Sequence, residues 1–417
     1  MSGDKPEALQ GLRVVELPCL DPMPFLAAAM AAKSFADFGA EVIKVEPPGA
    51  GAQERRLGPF RDGKIDLETG GLHLFLNTNK LGVTLDLEKE RARDVLFAML
   101  AQADILLNPN LPALCERIGL SWHSLTERFP KLIAVSLTTF GAESPYRDFR
   151  GGDLVATHMS GVGYETPWHQ VTDLEKEPPL KLAGRQSDYL TGYTAAAAAM
   201  VALFDRKHTG AGQHIDVSQW LAMVSMIRPN LGGSTHESAE SPLYKRLSLR
   251  VKAGAQWVYP CVDGWVSFNA GTERFWQGWK RAMGNPEWMD AEIFKTTADR
   301  AAHVDVIEAA IHDWLSNVTK QEAFQRAQVE HVPCFPVHEL REVAENDQYR
   351  ARSFFVDCEH PAAGTVRMPG APCRLSSTPW RIRRGAPRLG EHNRKIFGDR
   401  LGIDQAELER LAAEEII

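Results

Sequence analysis

Three segments in the first fifty residues limit the folds open to this chain. GLRVVEL (11–17) is a short β-rich run, PFLAAAMAAKSFADFG (24–39) has helical composition and stops at Gly39, and AEVIKVE (40–46) is a second β-rich run closed by Pro47 and Pro48. A strand, a helix and a strand joined by short turns form a βαβ unit, which puts the two strands parallel and a helix across one face of the sheet. The alternation continues: VTLDL as strand, EKERARDVLFAMLAQA as amphipathic helix, DILLNPN as strand and loop, KLIAVSLTTFG as strand. The reading is an α/β fold with a parallel sheet, the first two strands adjacent. Ligands of such sheets bind beyond the carboxyl ends of the strands.

At 417 residues the chain is too long for one core to keep growing, so two domains are expected. Composition changes after HIDVSQWLAMVSM, read as a strand: residues from about 228 to 252 are rich in Gly, Ser, Asn and charge and read as a linker. Beyond it, QWVYPCVDGWVSFNAG is a hairpin turning at Asp263-Gly264, followed by helical segments carrying Trp276, Trp279, Trp288 and Trp314. The sequence ends in a helical tail, DQAELERLAAEEII. The boundaries are therefore 1–225 together with 340–417 for a large domain, and 226–339 for the linker and a smaller α/β domain.

Several function classes drop out. A net charge of -7, with Lys and Arg scattered among acids, leaves no basic footprint for nucleic acid. No secretory leader and no apolar run long enough to span a bilayer is found, so the expected location is cytoplasmic. Six cysteines at 19, 115, 261, 334, 358 and 373 form no CxxC pair, and the thirteen His form no HExxH pair, so no metal site is expected. GxSxG, a Walker loop and GxGxxG are absent. The loop after the first strand is Pro-rich, and Glu46 at the end of the second is read as a strand-end carboxylate, so NAD is set aside.

The stretch GRQSDYLTGYTAAAAAMVALFDRKHTGAGQHIDVS (184–218) places Asp188 where a long apolar helix begins and closes that helix with Thr209, Gly210 and Gly212. An Asp there has two readings. It is an N-cap, or an oriented nucleophile held ionised by the helix amides and dipole. Gly192 and Ala195 to Ala199 leave room for close approach of a backbone or a flat ligand. Lys80 in NTNKLGVTLDL and Arg117 in LPALCERIGL suit phosphates or plain solvated charge, and Asn108 suits ligand orientation or a turn.

Taken together, GLRVVELP…FADFGAEVIKVEPPGAG, NTNK…VTLDL, LPALCERIGL, SLTTFG…SPYRDFRGGD, the Asp188 helix ending RKHTGAGQHIDVS, and PAAGTVRMPGAPCRLSSTPWRIRRGAPRLGEHN resemble class III CoA-transferases of the CaiB/BaiF type, formyl-CoA transferase-like, over essentially the whole chain. The resemblance implies a Rossmann-like large domain with a smaller α/β domain, in an interlocked homodimer. It implies that Asp188 is the nucleophile, at the family spacing before Arg206, Thr209, Gly210, Gly212 and Gln213. Coenzyme A would pass from an acyl-CoA donor to a carboxylic acid through an aspartyl mixed anhydride and an aspartyl-CoA thioester. It further implies that Cys19, Leu20, Lys80, Asn108, Pro109 and Arg117 line the CoA site, and that the CoA thioester is a substrate, with no tightly bound cofactor.

The chain departs from the family pattern at two places. Leu20-Asp21-Pro22-Met23-Pro24 replaces an Ala-Gly-Pro turn, which sets Asp21 as a like charge near Asp188. No Gly-rich covering loop is evident; Gly232, Gly233 and Gly254 are the nearest substitutes, and Tyr164 and Trp168 are candidates for an acyl site. Two other functions share the fold. An α-methylacyl-CoA racemase uses a His where this chain has Gly152, with His158 the nearest replacement; a noncatalytic CoA-binding protein would not need Asp188.

Overall fold

The computed structural model describes residues 5–167, 173, 175–227 and 256–417. Six short strands, β1 (Arg13–Glu16), β2 (Glu41–Glu46), β3 (Leu81–Thr84), β4 (Ile105–Asn108), β5 (Ile133–Thr138) and β6 (His214–Ser218), form one parallel sheet in the order β3-β2-β1-β4-β5-β6. The first two strands are neighbours, as the βαβ reading requires. The order reverses between β1 and β4, and there the loops leaving the two strands diverge to open a crevice. The helices that place the site are α1 (Ala27–Asp37), α2 (Gly71–Leu76), α3 (Glu90–Leu100), α4 (Pro112–Arg117), α5 (Trp122–Arg128), α6 (Asp153–Met159), α7 (Val162–Glu165), α8 (Gln186–Thr209) and α9 (Gln219–Val224).

Both faces of the sheet are covered, which is why its strands read as continuous apolar runs. Val14, Val42, Ile105 and Leu107 face one way, into α1 and the Ala195, Ala199 and Ala202 side of α8. Val15, Ile43, Val83 and Leu106 face the other way, against α3 and the C-terminal Ile396 and Phe397. A strand alternates its side chains, so one residue of slippage would exchange the two cores.

HIDVSQWLAMVSM is not one strand. The strand covers His214 to Ser218, and the Ser218 hydroxyl then accepts the Leu221 amide and starts α9 at Gln219. That turn carries Gln219 inward. The helix containing Asp188 also begins earlier than expected: its first residue is Gln186 and Arg185 is the N-cap, so Asp188 is the third helical residue and caps nothing. The far end closes at Gly210, as expected.

The described chain divides into two compact units, one of residues 1–163, 181–228 and 353–417, the other of residues 164–180 and 229–352. In the second, β7 (Gln256–Cys261) and β8 (Gly264–Asn269) form an antiparallel hairpin, joined by β9 (Cys334–Pro336). The pairing of Cys261 with Gly264 puts the turn at Val262 and Asp263, one residue before the expected place. Trp279 stacks on Phe268 at 3.7 Å and anchors this unit's core. The tail helix, Gln405–Ala413, and a hairpin of β10 (Phe355–His360) and β11 (Gly364–Pro369) belong to the first unit. The glycines 232, 233 and 254, Trp168 and the 228–252 segment lie outside the described residues.

Close contact between α1 and α8 depends on one position. A Cβ on Gly192 would stand 2.7 Å from the Ala27 carbonyl oxygen and 2.7 Å from the Met30 Cβ, so no larger residue fits without moving a helix. Gly192→Val is expected to lower stability by about 1–3 kcal/mol. Urea unfolding measures it as a lower midpoint at unchanged slope, and an unshifted midpoint contradicts the packing described.

Candidate active site

Asp188 is fully buried at the start of α8. Its Oδ2 accepts from Arg185 Nε at 2.5 Å and its Oδ1 from Gln219 Nε2 at 2.9 Å. Gln219 is itself buried and donates also to Ser187 Oγ at 2.9 Å, whose hydroxyl donates to Asp153 Oδ1 at 2.7 Å. Asp153 Oδ1 also takes the Ser187 amide, and Oδ2 pairs with Lys181 at 2.6 Å. The helix amide is thus capped by Asp153, from α6, which leaves Asp188 free for other partners.

Burial pushes the Asp188 carboxyl up to about 6, against the charge and hydrogen bond of Arg185, which pull it down; the Asp153 charge adds to the rise. The carboxylate is ionised at neutral pH but is a stronger base than an exposed Asp. The like charge it feels is Asp153 and not Asp21, which pairs with Arg150 at 3.4 Å and accepts the Met23 amide. Arg185 also donates to the Pro24 carbonyl and so pins the loop after β1 beside the helix start.

Gly152 occupies φ +149°, in the region that favours glycine, immediately before α6. A His at that position would be strained. His158 lies exposed in the last turn of α6. Tyr164, in the second unit, is 45% exposed.

The structure brings together four of the six residues expected at the CoA site. Leu20 donates its amide to Asn110 Oδ1, and Asn110 Nδ2 donates to the Pro18 carbonyl and to Asn108 Oδ1. These bonds tie the loop after β1 to the loop after β4 across the crevice. Cys19 and Pro109 line a narrow recess there, with Gln53 and Phe25. Burial pushes the Cys19 thiol up to about 12, so it remains protonated and does not compete as a nucleophile. A larger recess, with a cavity volume of about 70 Å³, opens beyond Asn108 and Asn110, walled by Trp122, His123 and Arg147.

The other two residues stand apart. Lys80 has no exposed surface; it donates to Glu16 at 2.8 Å, to the Ala29 carbonyl at 2.9 Å and to Asn77 Oδ1 at 2.9 Å, which uses all three of its protons. Glu16 also binds Lys44 at 2.7 Å and Lys44 binds Glu54 at 2.6 Å, all buried. Burial pushes Lys80 down to about 8 in spite of Glu16. In this structure Lys80 is an interior brace that joins the start of β3 to the end of β1 and to α1, with no free donor for a phosphate. Arg117, at the end of α4, is exposed and pairs with the exposed Glu88 at 3.1 Å. Glu46 is gripped at both oxygens by Arg55, and both side chains are fully buried.

Among the described residues, Glu68, His73 and His360 offer ligand atoms within 4.8 Å of one another. Their chemistry does not suit a cation. His73 Nδ1 faces the Asn77 amide, whose oxygen is held by Lys80, and His360 Nδ1 accepts the amides of Ala362 and Ala363. Each ring therefore carries its proton on Nε2, the nitrogen a metal would need bare, and Arg55 holds Glu68 at 3.0 Å.

Sequence reading missed Arg185, Ser187, Gln219, Asp153 and Asn110. Arg185 was open to discovery, since a residue three before Asp188 shares its helix face. Gln219 is 31 residues away and carries no local signal.

Comparison with known proteins shows the family of the chain. The family profile described as CoA-transferase family III matches residues 9–393. Succinyl-CoA--D-citramalate CoA-transferase of Chloroflexus aurantiacus is 30% identical over 99% of this chain and 98% of its own length. Formyl-CoA:oxalate CoA-transferase of Streptomyces coelicolor is 27% identical over 99% of each. The crystal structure of a CaiB/BaiF family protein from Brucella suis superposes with a TM-score of 0.80 at 25% identity, over 94% of this chain and 99% of that one. The chain belongs to CoA-transferase family III and is an acyl-CoA:carboxylate CoA-transferase.

Proposed function

We propose that the chain transfers coenzyme A from an acyl-CoA to a carboxylic acid through covalent intermediates on Asp188. The observation that carries the reading is the state of that carboxylate: fully buried, held at both oxygens, and more basic than an ordinary Asp. Attack on the donor thioester gives an aspartyl mixed anhydride and CoA thiolate; the thiolate returns to give aspartyl-CoA and free donor acid; the acceptor acid then reverses both steps. Holding CoA by its distant nucleotide end keeps the thiolate near the anhydride.

The CoA site of this reading lies across the β1–β4 crevice, with Leu20, Asn108 and Pro109 at its mouth and Arg117 reaching the phosphates from α4. Cys19 contributes through the shape of the loop, and Lys80 acts from beneath by fixing the strand ends. Two copies would form the interlocked dimer. Donors and acceptors would be short carboxylates, as in the names of the two relatives, and the location cytoplasmic. No described helix is long and apolar enough to cross a membrane.

Incubation with succinyl-CoA or formyl-CoA and a panel of small acids, read by mass spectrometry for new acyl-CoA, tests the reading. Asp188→Ala is expected to lower transfer by more than about 1000-fold. Transfer that survives the substitution sinks the nucleophile, and deuterium exchange at the α-carbon without transfer would point to a racemase.

The pH profile follows from the raised carboxyl. The base form is needed, so kcat/KM should fall about tenfold per pH unit below about 6. Arg185→Gln removes the charge that holds the carboxyl down, and the acid limb should move to higher pH. A limb at the ordinary Asp value, or one unmoved by the substitution, contradicts the assignment.

Arg117 and Lys80 should separate cleanly. Arg117→Ala is expected to raise KM for acyl-CoA about tenfold with little change in kcat, the loss of one charged hydrogen bond. Lys80→Met should instead lower stability, by about 3 kcal/mol, because Glu16 and Glu54 are left to share the one cation Lys44. Melting and steady-state kinetics of both variants check this, and an unchanged KM for Arg117→Ala removes it from the site.

A further inference from the structure

We infer that Gln219 is a catalytic residue, its Nε2–H stabilising the negative charge that forms on Asp188 Oδ1 when CoA thiolate or an acceptor carboxylate attacks the aspartyl carbonyl. The inference rests on Asp188 being the nucleophile and goes beyond it to name the group that serves the aspartyl steps.

The orientation of the Gln219 amide is forced by its neighbours. An ionised Asp188 only accepts, and Ser187 Oγ spends its proton on Asp153, so both face the nitrogen of Gln219. Its Oε1 faces the Thr139 hydroxyl at 3.4 Å. Lys181 holds Asp153 in turn, so the donor is locked from behind. The two Asp188 oxygens therefore differ. Oδ1 is bound to a side chain without exposed surface, whereas Oδ2 is covered by Arg185, whose side chain keeps 23% of its surface. Oδ2 is the oxygen that can be uncovered and attack; Oδ1 stays on Gln219.

In the first step Oδ2 bonds to the thioester carbonyl carbon and the C–S bond breaks, releasing CoA as thiolate. The charge of that step forms on the substrate's oxygen. The thiolate next adds to Asp188 Cγ, the pair of the carbonyl bond moves onto Oδ1, and on its return the Cγ–Oδ2 bond breaks and the donor acid leaves as carboxylate with Oδ2. The acceptor carboxylate runs the same sequence backwards, and no net proton is taken up. A donor 2.9 Å from Oδ1 is within the range at which preorganised N–H groups stabilise an oxyanion.

Gln219 should consequently matter unequally to the steps. Protein mixed with succinyl-CoA and no acceptor is followed by intact mass for covalent CoA and by thiol titration for free CoA. Gln219→Met is expected to slow adduct formation about 100- to 1000-fold, while thioester consumption falls less than about tenfold and appears as free CoA, the anhydride being lost to water. Gln219→Leu, which also removes the donor without adding a charge beside Asp188, should show the same split if Met disturbs folding. Adduct formation within about fivefold of the parent protein, or adduct and thioester consumption falling by one common factor, overturns the inference. Asp188→Ala in parallel distinguishes the two claims: covalent CoA on that variant defeats the nucleophile itself, whatever Gln219 does.

Discussion

The close approach of α1 and α8 governs the geometry of the site. Both helices meet through small side chains, Ala27, Ala28 and Ala31 on one and Gly192, Ala195 and Ala199 on the other, so the axis of α8 lies close over the sheet. At that distance the first turn of α8 is roofed by the loop after β1, and Asp188 loses all exposure. Burial then makes the carboxylate more basic, and the groups that keep it from simply neutralising are Arg185 at its own helix start and the Leu26 amide just before α1. A backbone packing constraint is in this way converted into the protonation state and aim of one side chain.

A second layer of buried charge lies below the crevice. Glu16 and Glu46 end neighbouring strands and are fully covered, and each is matched by cations from other elements: Lys44 and Lys80 on the first, Arg55 on the second. Such pairs add little net stability over apolar packing but are costly to break singly. Their effect here is to fix the ends of β1 and β2, and so one of the two strand ends from which the crevice loops leave, while Asn110 joins the loops after β1 and β4 above.

The sheet was legible because its alternation of β-rich and helical runs is a local property, and the first βαβ unit is read off fifty residues. That β4 lies beside β1 and not beside β3 was not, since it depends on packing between segments some ninety residues apart. The end of the β6 strand was misplaced for a local reason: WLAMVSM is apolar enough to continue a strand, and only the capping geometry of Ser218 ends it. Asp188 was marked by its neighbourhood as a cap or an oriented nucleophile, and the capping is a task that Asp153 performs. Lys80 shows the opposite failure. A lysine is expected at the surface, and its burial depends on Glu16, 64 residues away.

The account stands on a covalent bond to Asp188. Hydroxylamine added to protein turning over succinyl-CoA and an acceptor acid, followed by digestion and peptide sequencing by mass spectrometry, reads that bond directly. The prediction is a hydroxamate at Asp188, formed only when acyl-CoA is present. Full inactivation without a modified Asp188, or turnover undisturbed by the trap, would mean that CoA passes without ever being carried on this residue.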